Sequence, residues 1–233
     1  MSKAGIFETG GRPRNESHPT RRQGFGRAIV VCCALAVLVA GCALKLPGSG
    51  APPRIFVLSP KSTFDKNLPV VDWQLLIDSP IAAAGLNSSR IALRQSQIEL
   101  QYFANAAWTD AAPKMVQRLL IESFENSEKI VSVGRQAVGL RADFILATEL
   151  REFQAEYEGK AEGEPPDVRT RINAKLVKMP ERTIVASITY DYLIPSEGTE
   201  MVAIVKAFDL ALGKTLKRIV GWAITEGAKF HDE

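Results

Sequence analysis

Beyond residue 42 the sequence contains no cysteine and a single histidine, His231. The three cysteines of the chain are Cys32, Cys33 and Cys42, so the rest of the sequence cannot form a disulfide or a thiolate metal site. One histidine gives no material for a histidine-rich metal site and little for a Ser/His/Asp triad. The glycine clusters carry no phosphate-binding pattern. We therefore expect no cofactor, no metal and no enzymatic activity.

An excess of basic residues is also absent once the first 41 residues are set aside. Six of the 29 basic residues and two of the 26 acidic residues precede Cys42. Residues 42–233 therefore hold 23 basic and 24 acidic side chains, a net charge of −1 against +3 for the whole chain. Nucleic-acid binding loses its main electrostatic support, and we expect no nucleic-acid partner.

The first 41 residues have the pattern of a secretory leader. A basic segment is followed by the apolar run AIVVCCALAVLVA, residues 28–40. These 13 residues are too few to cross a bilayer as a helix, which takes about 20. We therefore predict a removable signal peptide over residues 1–41, cleaved between Gly41 and Cys42.

Residues 38–42, LVAGC, resemble the bacterial lipobox, in which a branched residue and two small ones precede a cysteine. In that signal the thiol takes up diacylglycerol and the freed amine is often acylated. The resemblance makes Cys42 the predicted lipidation site, with acyl chains such as palmitate as the anchor. A plain signal peptide with a chance cysteine is the alternative. Arg21 and Arg22 leave Tat export open beside Sec.

A change of composition separates the anchor from a folded domain. The stretch ALKLPGSGAPPR, residues 43–54, has three prolines and two glycines and is typical of an extended tether. We assign residues 42–54 to the lipidated cysteine and its tether. The remaining residues, 55–233, are enough for one domain with a substantial core.

The periodicity of this domain predicts an α+β fold. Apolar runs and alternating segments predict strands at 55–58, 73–78, 90–94, 97–103, 130–133, 144–157, 168–176 and 184–192. Helical spacing predicts a helix at 110–126 and a closing helix whose apolar stripe runs from Met201 to Ala223. We expect a mostly antiparallel sheet with the two amphipathic helices packed on one face, since each apolar stripe can then cover the strands.

Two sets of side chains are candidates for function. Trp108 and Trp222 are candidate partner contacts, although a tryptophan beside a helix more often belongs to the core. A group of glutamates follows one predicted strand into its loop: Glu149, Glu152, Glu156, Glu158, Glu162 and Glu164. Their mixed spacing fits no pair for acid and base catalysis, so we interpret them as a solvated sheet edge.

Four strings, in this order and spacing, resemble the ABC-type transport auxiliary lipoprotein component family. They are IFVLSP at 55–60, IELQYFANAAWTDAAPKMVQRLL at 98–120, ADFILATELREFQAEYEG at 142–159 and MVAIVKAFDLALGKTLKRIVGW at 201–222. The resemblance covers nearly all of the chain after the tether. It offers no catalytic motif, and only Cys42 carries over as a functional residue.

The resemblance implies a lipid-anchored periplasmic protein that works with an ABC permease, its ATPase and an MCE-type substrate-binding protein. Such a system moves phospholipid or another apolar lipid, so lipid itself is an expected partner. Ala43 follows the anchor where the enteric sorting rule places aspartate for inner-membrane retention, which favours the outer membrane. The alternative is an envelope assembly or scaffolding lipoprotein that binds only protein.

Replacing Cys42 with serine should release the protein from the membrane without unfolding it. The change removes the thiol that carries the acyl chains, each methylene of which contributes about 0.8 kcal/mol on burial. We expect the variant in the soluble fraction or as an uncleaved precursor. Mass spectrometry of the wild-type N-terminus is the direct check, and an unmodified Cys42, or a chain beginning elsewhere, would refute the anchor.

Overall fold

The computed structural model describes residues 52–135 and 141–231. These ranges belong to a single compact unit, residues 51–233. The predicted signal peptide and nearly all of the tether lie outside them, so the predicted boundaries at residues 41 and 54 stay predictions.

The described residues form nine strands and two helices. In chain order these elements are β1 (Arg54–Phe56), β2 (Val71–Ile77), β3 (Ile81–Ala82), β4 (Arg90–Ser96), β5 (Glu99–Trp108), α1 (Ala112–Glu125), β6 (Ile130–Arg135), β7 (Phe144–Glu156), β8 (Asp167–Lys178), β9 (Thr183–Pro195) and α2 (Met201–Phe230). Each predicted strand and helix is present, and the α+β class is confirmed. The last helix continues seven residues beyond Ala223, the last residue of its predicted apolar stripe.

The strand β7 organises the sheet. Along its whole length it pairs antiparallel with β8, which pairs antiparallel with β9. Its other edge pairs in turn with β2, β3 and β4, all parallel to it. A strand of 13 residues is long enough to hold these three partners end to end.

The prediction of a mostly antiparallel sheet is wrong, because five of the eight strand pairings in the described ranges are parallel. Alternating polar and apolar residues indicate that a segment is a strand with one buried face, but they carry no information on which distant strand lies beside it. The antiparallel pairs are the sequence neighbours β4–β5, β7–β8 and β8–β9. The parallel pairs join strands that are distant in sequence or separated by a helix, as a crossover requires.

The helices cover the sheet through apolar stripes at helical spacing. Helix α1 buries five large side chains completely: Met115, Val116, Leu119, Leu120 and Phe124. It packs against β2 and β6, whereas α2 packs against β7, β8 and β9, and the two helices contact each other. That both helices cover the same face stays a prediction. In the described ranges, neither helix is long and apolar enough to span a membrane.

Aromatic rings join α2 to the sheet at two places. Phe208 packs edge-on against Trp108, with ring centroids 5.1 Å apart, and against Phe153 at 5.0 Å. Nearer the other end of the helix, Trp73 packs edge-on against Phe144 at 5.1 Å. A Cβ atom on Gly227 would lie 2.4 Å from Cζ2 of Trp73, so α2 approaches this ring at a distance that only glycine permits.

Two glycines of α2 should therefore respond to alanine in opposite directions. Gly227→Ala forces a methyl group into the fully buried Trp73 and should lower the free energy of unfolding by about 1–3 kcal/mol. The matched control is Gly213→Ala, where a Cβ meets no atom within 4 Å. It should raise the free energy of unfolding by about 0.5–1 kcal/mol, because alanine favours the helix. Urea unfolding of both variants measures the difference, and equal effects would contradict the close approach.

Candidate functional site

The residues predicted for lipidation and cleavage, Cys42 and Gly41, lie outside the described residues. Their assignment rests on the sequence alone and stays a prediction. The structure does place the two candidate tryptophans, Trp108 and Trp222, and it gives them different environments.

Trp108 is a core residue. It ends β5, is 2% exposed, and packs against Phe208 and against Phe153, whose ring centroid lies 5.7 Å away. Its backbone N–H donates to the carbonyl of Ser89 at 2.7 Å. This indole seals the contact between the sheet and α2 and offers no surface to a partner. Of the two interpretations of Trp108 given by the sequence, its position fits the core residue.

Trp222 lines an open cleft of about 550 Å³ between α2, β9 and the segment that leads into β2. We call this the Trp222 cleft. Its apolar and aromatic wall comprises Phe64, Leu68, Tyr190 and Trp222, and its polar groups are Asp65, Lys217, Arg218, Thr225 and Glu226, with Gly221 between them. The indole is half-buried, so part of it remains accessible from the cleft.

Helical spacing brings the α2 residues of the cleft together. Residues 217, 221 and 225 form one row at intervals of four, and residues 218, 222 and 226 form the next. Both rows lie on the flank of the buried stripe, where apolar and charged residues meet. A Cβ atom on Gly221 would lie 3.7 Å from the Leu68 side chain, which is an ordinary van der Waals distance. Helix α2 and the segment that leads into β2 are therefore close together at this point.

The electrostatics of the cleft are mixed. The guanidinium of Arg218 lies 5.5 Å from the ring centroid of Tyr190, within reach of a cation–π contact. Burial raises the pKa of Tyr190 above its usual value, and Arg218 opposes that rise. Glu226 accepts a bond from Lys229 Nζ at 2.8 Å. The cleft thus offers a partner an aromatic surface bordered by charges of both signs.

The glutamate group does not lie at an edge of the sheet, so that prediction is wrong for its β7 members. Glu149, Glu152 and Glu156 belong to β7, which has partner strands on both sides. The Glu152 side chain is 15% exposed and binds both Arg94, at 3.1 Å, and Arg171. Side-chain spacing could not reveal this, because the arginines come from β4 and β8.

A third arginine, Arg169, extends this polar surface to β9. Arg169 binds Asp191 at 3.0 Å and lies 3.6 Å from Glu156. The bond to Asp191 is the main reason why the pKa of Arg169 is raised. The carboxylates of Glu152, Glu156 and Asp191 are therefore neutralised by arginines in a structural network. In the described residues, no group of three or more His, Cys, Asp or Glu side chains is placed to hold a metal ion.

Sequence reasoning identified Trp222 but missed the rest of its cleft. The two rows on α2 could have been found from their spacing at the edge of the apolar stripe. Phe64, Leu68 and Tyr190 could not, because they reach the site from segments more than 30 residues away from Trp222 along the chain. Only the pairing of β9 with β8 and the path of residues 64–68 bring them to Trp222.

Comparison with solved structures identifies a protein of the same fold. A Xanthomonas campestris protein assigned to the family DUF330 has a crystal structure that matches with a TM-score of 0.72 and 32% identity, over 77% of this chain and 99% of that one. The crystal structure of a second, uncharacterized protein matches with a TM-score of 0.56 and 13% identity over 73% of this chain and 97% of that one, which shows a shared fold alone.

Sequence comparison gives one curated relative and a family. An uncharacterized protein of Bradyrhizobium diazoefficiens is 28% identical over an alignment of 188 residues that covers 77% of this chain. The chain spans about half of that relative, 48% of its length. The model of the ABC-type transport auxiliary lipoprotein component family matches residues 56–220, from β1 to the middle of α2. Since this match takes in most of the sheet and both helices, the chain belongs to the ABC-type transport auxiliary lipoprotein component family.

Proposed function

We propose that the protein is a lipid-anchored periplasmic auxiliary component of an ABC transport system that moves phospholipid or another apolar lipid. Its partners in this proposal are an MCE-type substrate-binding protein and the ABC permease with its ATPase. The family match over residues 56–220 is the observation that carries the proposal. The role is one of binding and positioning, without catalysis.

The Trp222 cleft supports a binding role. Its apolar and aromatic wall combines the accessible indole of Trp222 with Phe64 and Leu68. Tryptophan and arginine, both present in the cleft, are enriched among the residues that dominate the binding energy of protein interfaces. Lys217 and Arg218 add positive charge at the rim, where it steers an approaching partner. An apolar side chain of a partner or the headgroup region of a lipid fits this combination of groups.

The location follows from the proposed anchor. Acyl chains on Cys42 hold the domain at a membrane in the periplasm, and Ala43 beside the anchor favours the outer membrane over the inner one. A domain held there by a tether faces the periplasm, where it is able to meet a substrate-binding protein carried by the inner-membrane system.

A second candidate function is a scaffolding lipoprotein of the envelope that binds only protein. The long edge of β9 favours it, because among the described strands β9, which has 13 residues, pairs only with β8 and has no strand on its other side. An extended segment of another protein is able to add to such an edge.

Crosslinking in intact membranes separates the two functions. A photoreactive amino acid at Trp222 should capture an MCE-type protein or the permease, because the half-buried indole is a contact point of the cleft. The same group at Lys175, an exposed position on β8, serves as the matched control. A general amine crosslinker, applied in parallel, covers contacts elsewhere on the domain.

The captured proteins are identified by mass spectrometry. Recovery of transport components from the Trp222 position, and not from Lys175, supports the transport role and assigns it to the cleft. If both crosslinkers recover only cell-wall or outer-membrane assembly factors, the transport role is refuted in favour of the scaffold.

A further inference from the structure

The outer side of α2 carries a row of basic and apolar side chains. Val202, Lys206, Leu210 and Lys214 follow one another at intervals of four, and Lys217 lies within the same sector of the helix. All five are exposed. We call these residues the lysine face. Lys217 also lines the Trp222 cleft, so the two surfaces adjoin.

Positive charge on this part of α2 is almost unopposed by the helix itself. Residues 201–218 contain Lys206, Lys214, Lys217 and Arg218 against one acid, Asp209. The Asp209 carboxylate accepts a hydrogen bond from the backbone N–H of Ser59 at 2.7 Å and so holds the incoming chain against the helix. The segment 59–62 lies beside Lys206 and Lys214 in a shallow groove that Lys61 also lines.

Aliphatic side chains stand exposed among these cations. Leu210 lies between Lys206 and Lys214 on the helix and is 51% exposed, and Val202 is 46% exposed. Val57 is 62% exposed two residues before Ser59. A helix surface that alternates lysine with aliphatic residues matches the interface of a bilayer, where the aliphatic groups enter the headgroup layer and the lysines meet lipid phosphates.

The chain that leads to this surface begins near the proposed anchor. Twelve residue steps separate Cys42 from Arg54, which limits the distance between them to about 40 Å at ~3.3 Å per residue. Five residues further on, Ser59 is bonded to Asp209. The lysine face is therefore close, along the chain, to the point where the protein meets the membrane. This step rests on the lipid anchor of the proposed function.

We propose that the lysine face lies on the surface of an anionic bilayer and fixes the orientation of the domain beside its anchor. The occupant is the phospholipid surface itself, recognised through its phosphates and acidic headgroups. The overall charge of −1 after residue 41 hides this attraction, because it averages over the whole domain, whereas residues 201–218 carry four cations and one acid. A bilayer within a few Å of the lysine face interacts with these local charges more than with the net charge, since the Debye length is about 8 Å at physiological salt.

A fluorescent label that reports contact with lipid tests the proposal on the lipidated protein purified from membranes. Leu210→Cys carries the label in one variant and Leu193→Cys, 47% exposed on β9, in the matched control. With Cys42 acylated and the leader removed, each variant has one free thiol. The proteins are reconstituted into vesicles of phosphatidylcholine with or without phosphatidylglycerol, both containing a nitroxide-labelled lipid as quencher.

We expect the label at position 210 to be quenched several-fold more than the label at 193, and only with phosphatidylglycerol present. Combining Leu210→Cys with Lys206→Glu and Lys214→Glu should reduce quenching to the level at 193. Reversing Lys175 and Lys178 on β8 instead changes the net charge equally and should leave quenching at 210 intact. Circular dichroism confirms that each variant is folded.

Equal quenching at positions 210 and 193 would overturn the proposal. So would quenching at 210 that is unchanged both by removing phosphatidylglycerol and by the substitutions Lys206→Glu and Lys214→Glu. Protection of the label at 210 by a bound protein in native membranes, without quenching by lipid, would overturn it in favour of a protein partner. Co-purification of the transport components with the Lys206→Glu, Lys214→Glu variant is measured separately. A loss of quenching with co-purification retained refutes the membrane contact alone and leaves the transport role standing.

Discussion

The packing of α2 against the sheet is the interaction on which the rest of the domain depends. Over 30 residues its inner stripe contacts β7, β8 and β9 and also meets α1. The rings of Trp108, Phe153 and Phe208 lock the first half of the helix, and the approach of Gly227 to Trp73 fixes the second half. Close-packed contacts at both ends leave the helix no freedom to rotate.

A helix whose inner face is fixed also has a fixed outer face. The lysine face points to solvent because the apolar stripe on the opposite side is buried, and Trp222 lies at the margin between the two. The packing of α2 against the sheet therefore fixes the positions of both the Trp222 cleft and the lysine face, which lie next to each other. In the function we propose, this arrangement would hold the cleft at a set orientation to the membrane while its partner approaches.

The strand β7 shows which features a sequence pattern predicts and which it does not. Its length and its apolar residues were predicted, as were the two strands that follow it. The prediction of a solvated edge was wrong, because the partners β2, β3 and β4 occupy its other side and supply Arg94 to neutralise Glu152. Glutamates on a central strand are tolerated there because arginines from neighbouring strands pair with them at short distance.

The sequence by itself determined the α+β class, both helices, nearly all strands and the family, because these depend on local periodicity and on the order of short motifs. It also located Trp222 on the flank of α2. The tertiary structure alone decided that the sheet is mixed, that Trp108 is buried, and that Phe64, Leu68 and Tyr190 complete the cleft. The direction of each strand, the strands that pair with it and the residues that meet in the cleft depend on contacts between residues far apart in the chain. Such contacts produce no periodic pattern in a single sequence.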